Sequence, residues 1–159
     1  MEGHTKKKPG LTIDALKIRK AVSGDLPGVY RLICELENDI FQYEVFEQIF
    51  EVNLKKPDCI YRVAELENRI VGFISFHIQY LLHHCGAVGE VQEFCIEKGY
   101  RNKGIGRCLM NEMKEYARHR NLMSLEVTSN KKRAENIKVY ERLGFKLSHN
   151  KFTIRRDEL

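Results

Sequence analysis

Proline is scarce, three residues in 159, and no apolar run approaches the roughly 20 residues that a membrane-spanning helix needs. Charged residues make up 31% of the chain and interrupt its hydrophobic stretches, which excludes such a helix, while 43% hydrophobic content excludes a disordered tail. Cysteine lacks a pattern: Cys34, Cys59, Cys85, Cys95 and Cys108 are odd in number and form no C-x-x-C pair. That argues against a disulfide framework and a zinc ribbon, and predicts free thiols in a reducing cytoplasm. The first residues, MEGHTKKKPGL, lack the apolar core of a secretory signal, so 1–16 reads as a flexible leader with a solvated basic stretch at 6–8. The final RDEL has the form of an endoplasmic reticulum retention signal, which serves only a protein that has entered that compartment; it reads as chance. No repeat, low-complexity tract or Gly/Ser linker divides the rest, and 17–159 is expected to form one domain.

An excess of one charge sign is also nearly missing. The 27 basic and 22 acidic residues leave +5, which suits an anionic ligand. The charges mix, as in EYARHR and RAENIKVYER, rather than forming the basic stripe of a nucleic-acid reader.

What is present reads as alternating elements. Residues 18–22 predict a strand, and Asp25 an N-cap for a helix with Pro27 in its first turn and Val29, Leu32, Ile33, Leu36 and Ile40 on its core face. A second helical run carries Phe46, Ile49, Phe50 and Leu54 toward the core and ends near Pro57. CIYRVAEL, RIVGFISFHIQY and AVGEVQEFCI predict antiparallel strands, joined by a turn at Glu67-Asn68 and by LLHHCG. GIGRCLMNEMKEYARHR then places Ile105, Cys108, Leu109, Met113, Tyr116 and Ala117 on one helical face, and LMSLEVT closes a βαβ unit. A last helix carries Ala134, Ile137, Tyr140 and Leu143 before Gly144, and KFTIR predicts a final strand.

The most informative segment is YRNKGIGR at 100–107, where the strand gives way to the long helix. Gly104 and Gly106 let consecutive backbone N–H groups face a ligand at a helix N-terminus, and Arg101, Lys103 and Arg107 add positive charge. A pyrophosphate is the natural guest. The segment is neither a P-loop nor the dinucleotide fingerprint G-x-G-x-x-G; it reads [QR]-x-x-G-x-[GA].

That pattern, followed by LEVTSN and VYERLGFK, resembles the GNAT superfamily of acyl-CoA N-acyltransferases over about residues 17–155. The resemblance implies an α/β (mixed α+β) fold with a splayed, mostly antiparallel sheet flanked by helices. It implies acetyl-CoA as co-substrate, with Arg101, Asn102, Lys103, Gly104, Ile105, Gly106 and Arg107 at its pyrophosphate and the backbone of Phe94, Cys95 and Ile96 along its pantetheine arm. A homodimer is compatible with such a sheet.

Acetyl transfer needs a neutral amine, and deprotonating an alkylamine of pKa ~10.4 at pH 7 costs roughly 4–5 kcal/mol, so a base or water relay is expected. Glu90 and Glu93 are the candidates ahead of Glu126; their opposite parity keeps them from sharing one cleft if the strand is regular. The leaving thiolate needs a proton. A phenol near pKa ~10 can supply a thiol near ~8.5 for roughly 2 kcal/mol, and the resemblance assigns that role to Tyr140. Many relatives read N-x-x-A-x-x-[LF]-Y here, whereas this chain has Arg133 and Asn136 at the first two marked positions. Asn130 and Asn136 are the expected cofactor contacts of this region.

VYRLICELE, FHIQYLLHHCGAVGEVQEF and FTIRR look like aminoalkylphosphonate N-acetyltransferases, which implies a small phosphonate-bearing primary amine as acceptor. His77, His83 and His84 in that hairpin raise the possibility of a divalent metal, although adjacent His83 and His84 diverge if the chain is extended there. Cys85 is a weaker candidate nucleophile, since neither a base nor an orienting group can be read beside it.

Overall fold

Alternating apolar residues between 59 and 96 produce the three longest strands. The structure, a computed structural model, describes residues 15–130 and 132–159, so most of the expected leader lies outside the described residues; Leu16 packs against the core. Strands β1 (Lys17–Lys20), β2 (Cys59–Leu66), β3 (Arg69–Leu81), β4 (Gly86–Ile96) and β5 (Ser124–Val127) form one sheet in that order. Neighbours are antiparallel except β4 and β5, which are parallel because helix α3 (Ile105–His119) carries the chain across between them. This is the expected βαβ unit. The β2–β3 turn has Glu67 and Asn68 both at positive φ, the tight twist that suits a two-residue hairpin.

Helix α3 lays Leu109, Met110 and Met113, all fully buried, on Ile74, Phe76 and Val91 of one sheet face. The other face carries α1 (Leu26–Glu37) and α2 (Tyr43–Leu54), through Val29, Leu32 and Phe50 against Tyr61, Val63 and Phe73. Helix α4 (Glu135–Arg142) buries no residue fully. No helix among the described residues is long and apolar enough to cross a membrane.

Four local expectations are corrected. Helix α1 stops at Glu37, because Asn38 turns left-handed (φ 53°) and its N–H bonds the Cys34 carbonyl, leaving Ile40 85% exposed. Helix α2 buries Phe50 but leaves Ile49 56% exposed, so its apolar residues do not all face the core. Asp25 does not cap α1: its carboxylate reaches back to the Val22 amide (2.9 Å) and takes both Arg19 Nη groups (2.7 and 2.8 Å). Burial pushes that carboxyl up, and Arg19 with the Val22 amide more than offsets this, holding it below the ordinary carboxylate range. KFTIR forms no strand. Its alternation is suitable, but a strand needs a neighbouring ladder, and the segment lies off the sheet with Phe152 92% and Ile154 64% exposed.

Candidate active site

Two parallel strands that stop pairing create the site. The β4–β5 ladder runs from Val88↔Ser124 to Val91↔Val127, and among the described residues the β4 backbone beyond it pairs only with β3, through Ile74↔Phe94, Phe73↔Cys95 and Gly72↔Ile96. A cavity of about 190 Å³ occupies the gap. Its walls are Gln92 and Phe94 of β4, Thr128, Ser129 and Asn130 after β5, Asn136 and Tyr140 of α4, Arg133 ahead of α4, and Leu36 and Glu37 at the end of α1. A larger hollow of about 560 Å³ beside the β2–β3 turn holds Arg19, Arg31 and Arg69. Those arginines are ion-paired with Asp25, Glu65 and Glu97, so they are spent on the fold and the smaller cavity is the candidate for chemistry.

Tyr140 reaches this cavity from α4, its ring 6.4 Å from Phe94 and edge-on to Phe145 at 5.9 Å. Burial pushes its phenol up, and the charge of Arg133 opposes the rise. The hydroxyl therefore stays protonated well above neutrality, as a proton donor must. Asn136 Nδ2 donates to Ser129 Oγ (3.3 Å), and Asn130 Oδ1 accepts from the Lys132 amide (2.9 Å); both asparagines line the cavity.

The parity argument for the glutamates fails, because β4 is not regular. The ladder jumps from Ile74↔Phe94 to Phe76↔Val91, so Ser75 alone opposes both Gln92 and Glu93. This β-bulge resets the alternation. Glu90 pairs with His77, Glu93 bonds Ser75, and Ser75 and His77 share a face of β3; both carboxylates therefore lie on the side of the sheet that carries α1 and α2. Glu90 accepts from Thr128 Oγ1 (3.0 Å), a residue of the cavity wall, and from Gln79 Nε2 (3.4 Å). Glu93 is held by the Ser75 hydroxyl. Glu126 is exposed, takes a bond from Ser124 (3.1 Å) and does not line the cavity.

Asn102 (φ 61°) and Gly104 (φ 84°) bend the expected cradle, and α3 begins at Ile105. A Cβ on Gly104 would meet open space, so glycine is needed there for its dihedral; one on Gly106 would come within 3.2 Å of the Phe94 ring. The segment's side chains divide. Among the described residues Lys103 and Arg107 are not tied to a carboxylate, Lys103 lying over the Tyr100 ring (5.3 Å). Arg101 is engaged, donating to Ile96 O (2.9 Å) and to Glu35 (3.1 Å), so its guanidinium is not a free anion ligand as expected. The Ile105 side chain is core, as is that of Cys95, whose thiol burial pushes up to about 12. Those two can serve a ligand only through their backbone, as can Ile96, which packs against the core.

The hairpin histidines do not converge. His83 and His84 sit in a tight helical turn rather than an extended chain, with ring centroids 4.4 Å apart, and His84 lies 3.8 Å from Glu126. His77 faces Cys59 (Nδ1 to Sγ 3.9 Å), and its Nε2 is buried without a partner. Among the described residues no group of three His, Cys, Asp or Glu comes together, so these side chains do not fit a metal ion. Cys85 is exposed and bonds the Leu82 carbonyl (3.4 Å).

A free strand edge, a half-buried phenol at the gap and a glycine turn at the start of the helix beside Phe94 are parts that acyl transfer from a thioester can use. The sequence pattern of the Acetyltransferase (GNAT) family matches residues 26–145. The chain belongs to that family. It is therefore an acetyl-CoA-dependent N-acetyltransferase with the family's mixed, mostly antiparallel sheet. An aminoalkylphosphonate N-acetyltransferase of Salmonella typhimurium is 37% identical over 137 residues, 86% of this chain and 89% of that protein. Among solved structures, a transcriptional regulator from Bacillus halodurans superposes with TM-score 0.81 at 23% identity, covering 88% of this chain and 99% of the other. An aminoglycoside N-acetyltransferase in complex with CoA superposes with TM-score 0.79 at 15% identity, covering 89% and 94%. Both share the fold.

Sequence reasoning missed part of this GNAT site. Thr128 and Ser129 directly precede Asn130 and carried a signal through that adjacency. Leu36 and Glu37 carried none, since only packing brings the end of α1 to the gap.

Proposed function

We propose that this N-acetyltransferase acts on a small aminoalkylphosphonate. The observation that carries the reading is the 37% identity to the Salmonella typhimurium enzyme across nearly the full length of both chains. The +5 net charge suits an anionic acceptor and an anionic co-substrate alike.

Acetyl-CoA supplies an activated acetyl thioester. The amides at the start of α3, with Lys103 and Arg107, hold its pyrophosphate, and the unpaired edge of β4 at 94–96 accepts and donates backbone hydrogen bonds along the pantetheine arm. Residues fit the group at each point: a left-handed Gly104, a vacant strand edge and a gap leading to Tyr140. Glu90 takes the ammonium proton, directly or through a water bound near Thr128, and Glu93 holds the bulge through Ser75. The amine nitrogen then bonds the acetyl carbon, the carbon–sulfur bond breaks, and its electron pair stays on sulfur. Tyr140 Oη gives that sulfur its proton and recovers one from the acetylated nitrogen or from water. One proton is released overall.

The test is mass spectrometry of products from acetyl-CoA and a panel of aminoalkylphosphonates, polyamines and aminoglycosides, with and without a divalent metal. Rapid acetylation of 2-aminoethylphosphonate is expected. Preferred acetylation of a polyamine, an aminoglycoside or a protein amino group would overturn the acceptor assignment and leave the acetyltransferase standing; coenzyme A binding without any product would favour a non-catalytic acyl-CoA module. In the same assay Glu90→Gln should lose on the order of 100-fold in turnover and Glu93→Gln clearly less. The reverse order would exchange their roles.

A homodimer is part of this reading. The outer edge of β5 has no strand partner among the described residues, while Phe152 and Ile154 stand in solvent on a segment with strand alternation. Light scattering should give a dimer mass that persists on dilution; a monomer would remove this element. The free cysteines fit a reducing cytoplasm.

A further inference from the structure

Arg133 precedes α4, and its contacts go to a part of the molecule 97 residues away. Its Nη2 donates to the Leu36 carbonyl (2.9 Å) and lies 3.1 Å from Glu37 Oε2. Helix α1 has no basic residue in its last turn, so its final carbonyls and the negative end of its dipole lack a cation of their own. Arg133 supplies one from the opposite wall of the cavity. As a stability device the link is weak, since both side chains remain partly in water (30% and 44% exposed). Its placement matters more. Of the side chains lining the cavity, Arg133 is the cation, Glu37 the anion and Tyr140 the phenol.

We propose that Arg133 is a positioning residue for acetyl transfer: it straps the approach to α4 onto the end of α1 and keeps a positive charge beside the Tyr140 hydroxyl as that hydroxyl gives up its proton. The proposal rests on the reading of Tyr140 as donor to the departing sulfur. Breaking the carbon–sulfur bond leaves a pair on sulfur, the Tyr140 proton moves to it, and the charge passes to the phenolate until a proton returns. A fixed cation favours that charge on Tyr140; the Leu36 carbonyl holds the guanidinium at the cavity wall, and Glu37 offsets part of its charge. The pull of Arg133 on the Tyr140 phenol, against the effect of burial, agrees with this geometry. Helix α4 itself carries Glu135, Lys138, Glu141 and Arg142, and from α3 Lys114 bonds the Leu143 carbonyl at the far end of α4.

The experiment uses the full chain carrying tyrosine labelled at the ring Cζ carbon, with the Tyr140 signal assigned by its loss in Tyr140→Phe. In Arg133→Met the Tyr140 titration should move up by ~0.5 pH unit or more, and Arg133→Lys should keep it near the wild-type value. Glu37→Gln, which frees the arginine charge from its counterion, should move it down. Turnover with 2-aminoethylphosphonate should fall about tenfold in Arg133→Met, with KM for acetyl-CoA little changed and the alkaline limb of kcat following the titration. Arg133→Lys should restore most of the rate. An unmoved titration in a folded Arg133→Met protein overturns the proposal, as does an equal rate loss in the Met and Lys variants. Should Arg133→Met not fold, the Lys and Glu37→Gln titrations decide. Full turnover in Tyr140→Phe would overturn the donor reading and this proposal with it. Acetylation of another amine but not of 2-aminoethylphosphonate would sink the acceptor reading alone, because the titrations need no substrate.

Discussion

Helix α4 walls the gap, helix α3 begins beside Phe94 of the same wall, and the two are held in opposite ways. Helix α3 presents Ile105, Leu109, Met110 and Met113 to the sheet with almost no exposure, so the turn at its N-terminus is set by close packing. Helix α4 has no fully buried residue and is tied by polar links: Arg133 to α1, Asn136 to Ser129, and Lys114 to Leu143. The glycine turn proposed to bind the pyrophosphate is anchored to the core, whereas the wall carrying Tyr140, the proposed proton donor, is tethered at a few points. Mutations should therefore separate into losses of stability at α3 and losses of rate at α4.

Leu109→Ala tests the anchored side most severely. Removing a fully buried leucine should cost about 3 kcal/mol in chemical denaturation; a cost under about 1 kcal/mol would mean that α3 is no better packed than α4. Tyr140→Phe tests the tethered side, and turnover should drop about 100-fold with coenzyme A affinity within about twofold. Because burial raises the phenol, the donor form persists as pH rises, so wild-type turnover should hold past the ordinary tyrosine value of ~10 and fall only as the raised titration is reached. A decline near pH 8 would point to another donor. Gly104→Val should weaken coenzyme A binding about tenfold by calorimetry, since a β-branched residue resists the left-handed dihedral that aims the amides. The smallest effect is expected for Asn136→Ala, under about 1 kcal/mol in stability, as it removes one partly exposed hydrogen bond.

Legibility in the sequence followed the range of the interaction. The βαβ unit, the turn at 67–68 and the glycine turn that leads into α3 depend on neighbours in the chain, and the sequence predicts each of them. Asp25 looked like a helix cap from its neighbours, but Arg19 of β1 claimed its carboxylate. Glu90 and Glu93 looked mutually exclusive, because a bulge is a property of two paired strands and Ser75 lies 18 residues from Glu93. KFTIR had a strand's alternation and found no ladder.

From residue order alone came most of the elements and the place of the glycine turn before α3, because side-chain periodicity and turn chemistry act over a few residues; the role proposed for Tyr140 came from the family resemblance. Only the tertiary structure decided where β4 and β5 part, which arginines are free, and that the end of α1 closes the gap against Arg133. Those outcomes arise from contacts across tens of residues, where pairing, burial and charge compete and local pattern has no say.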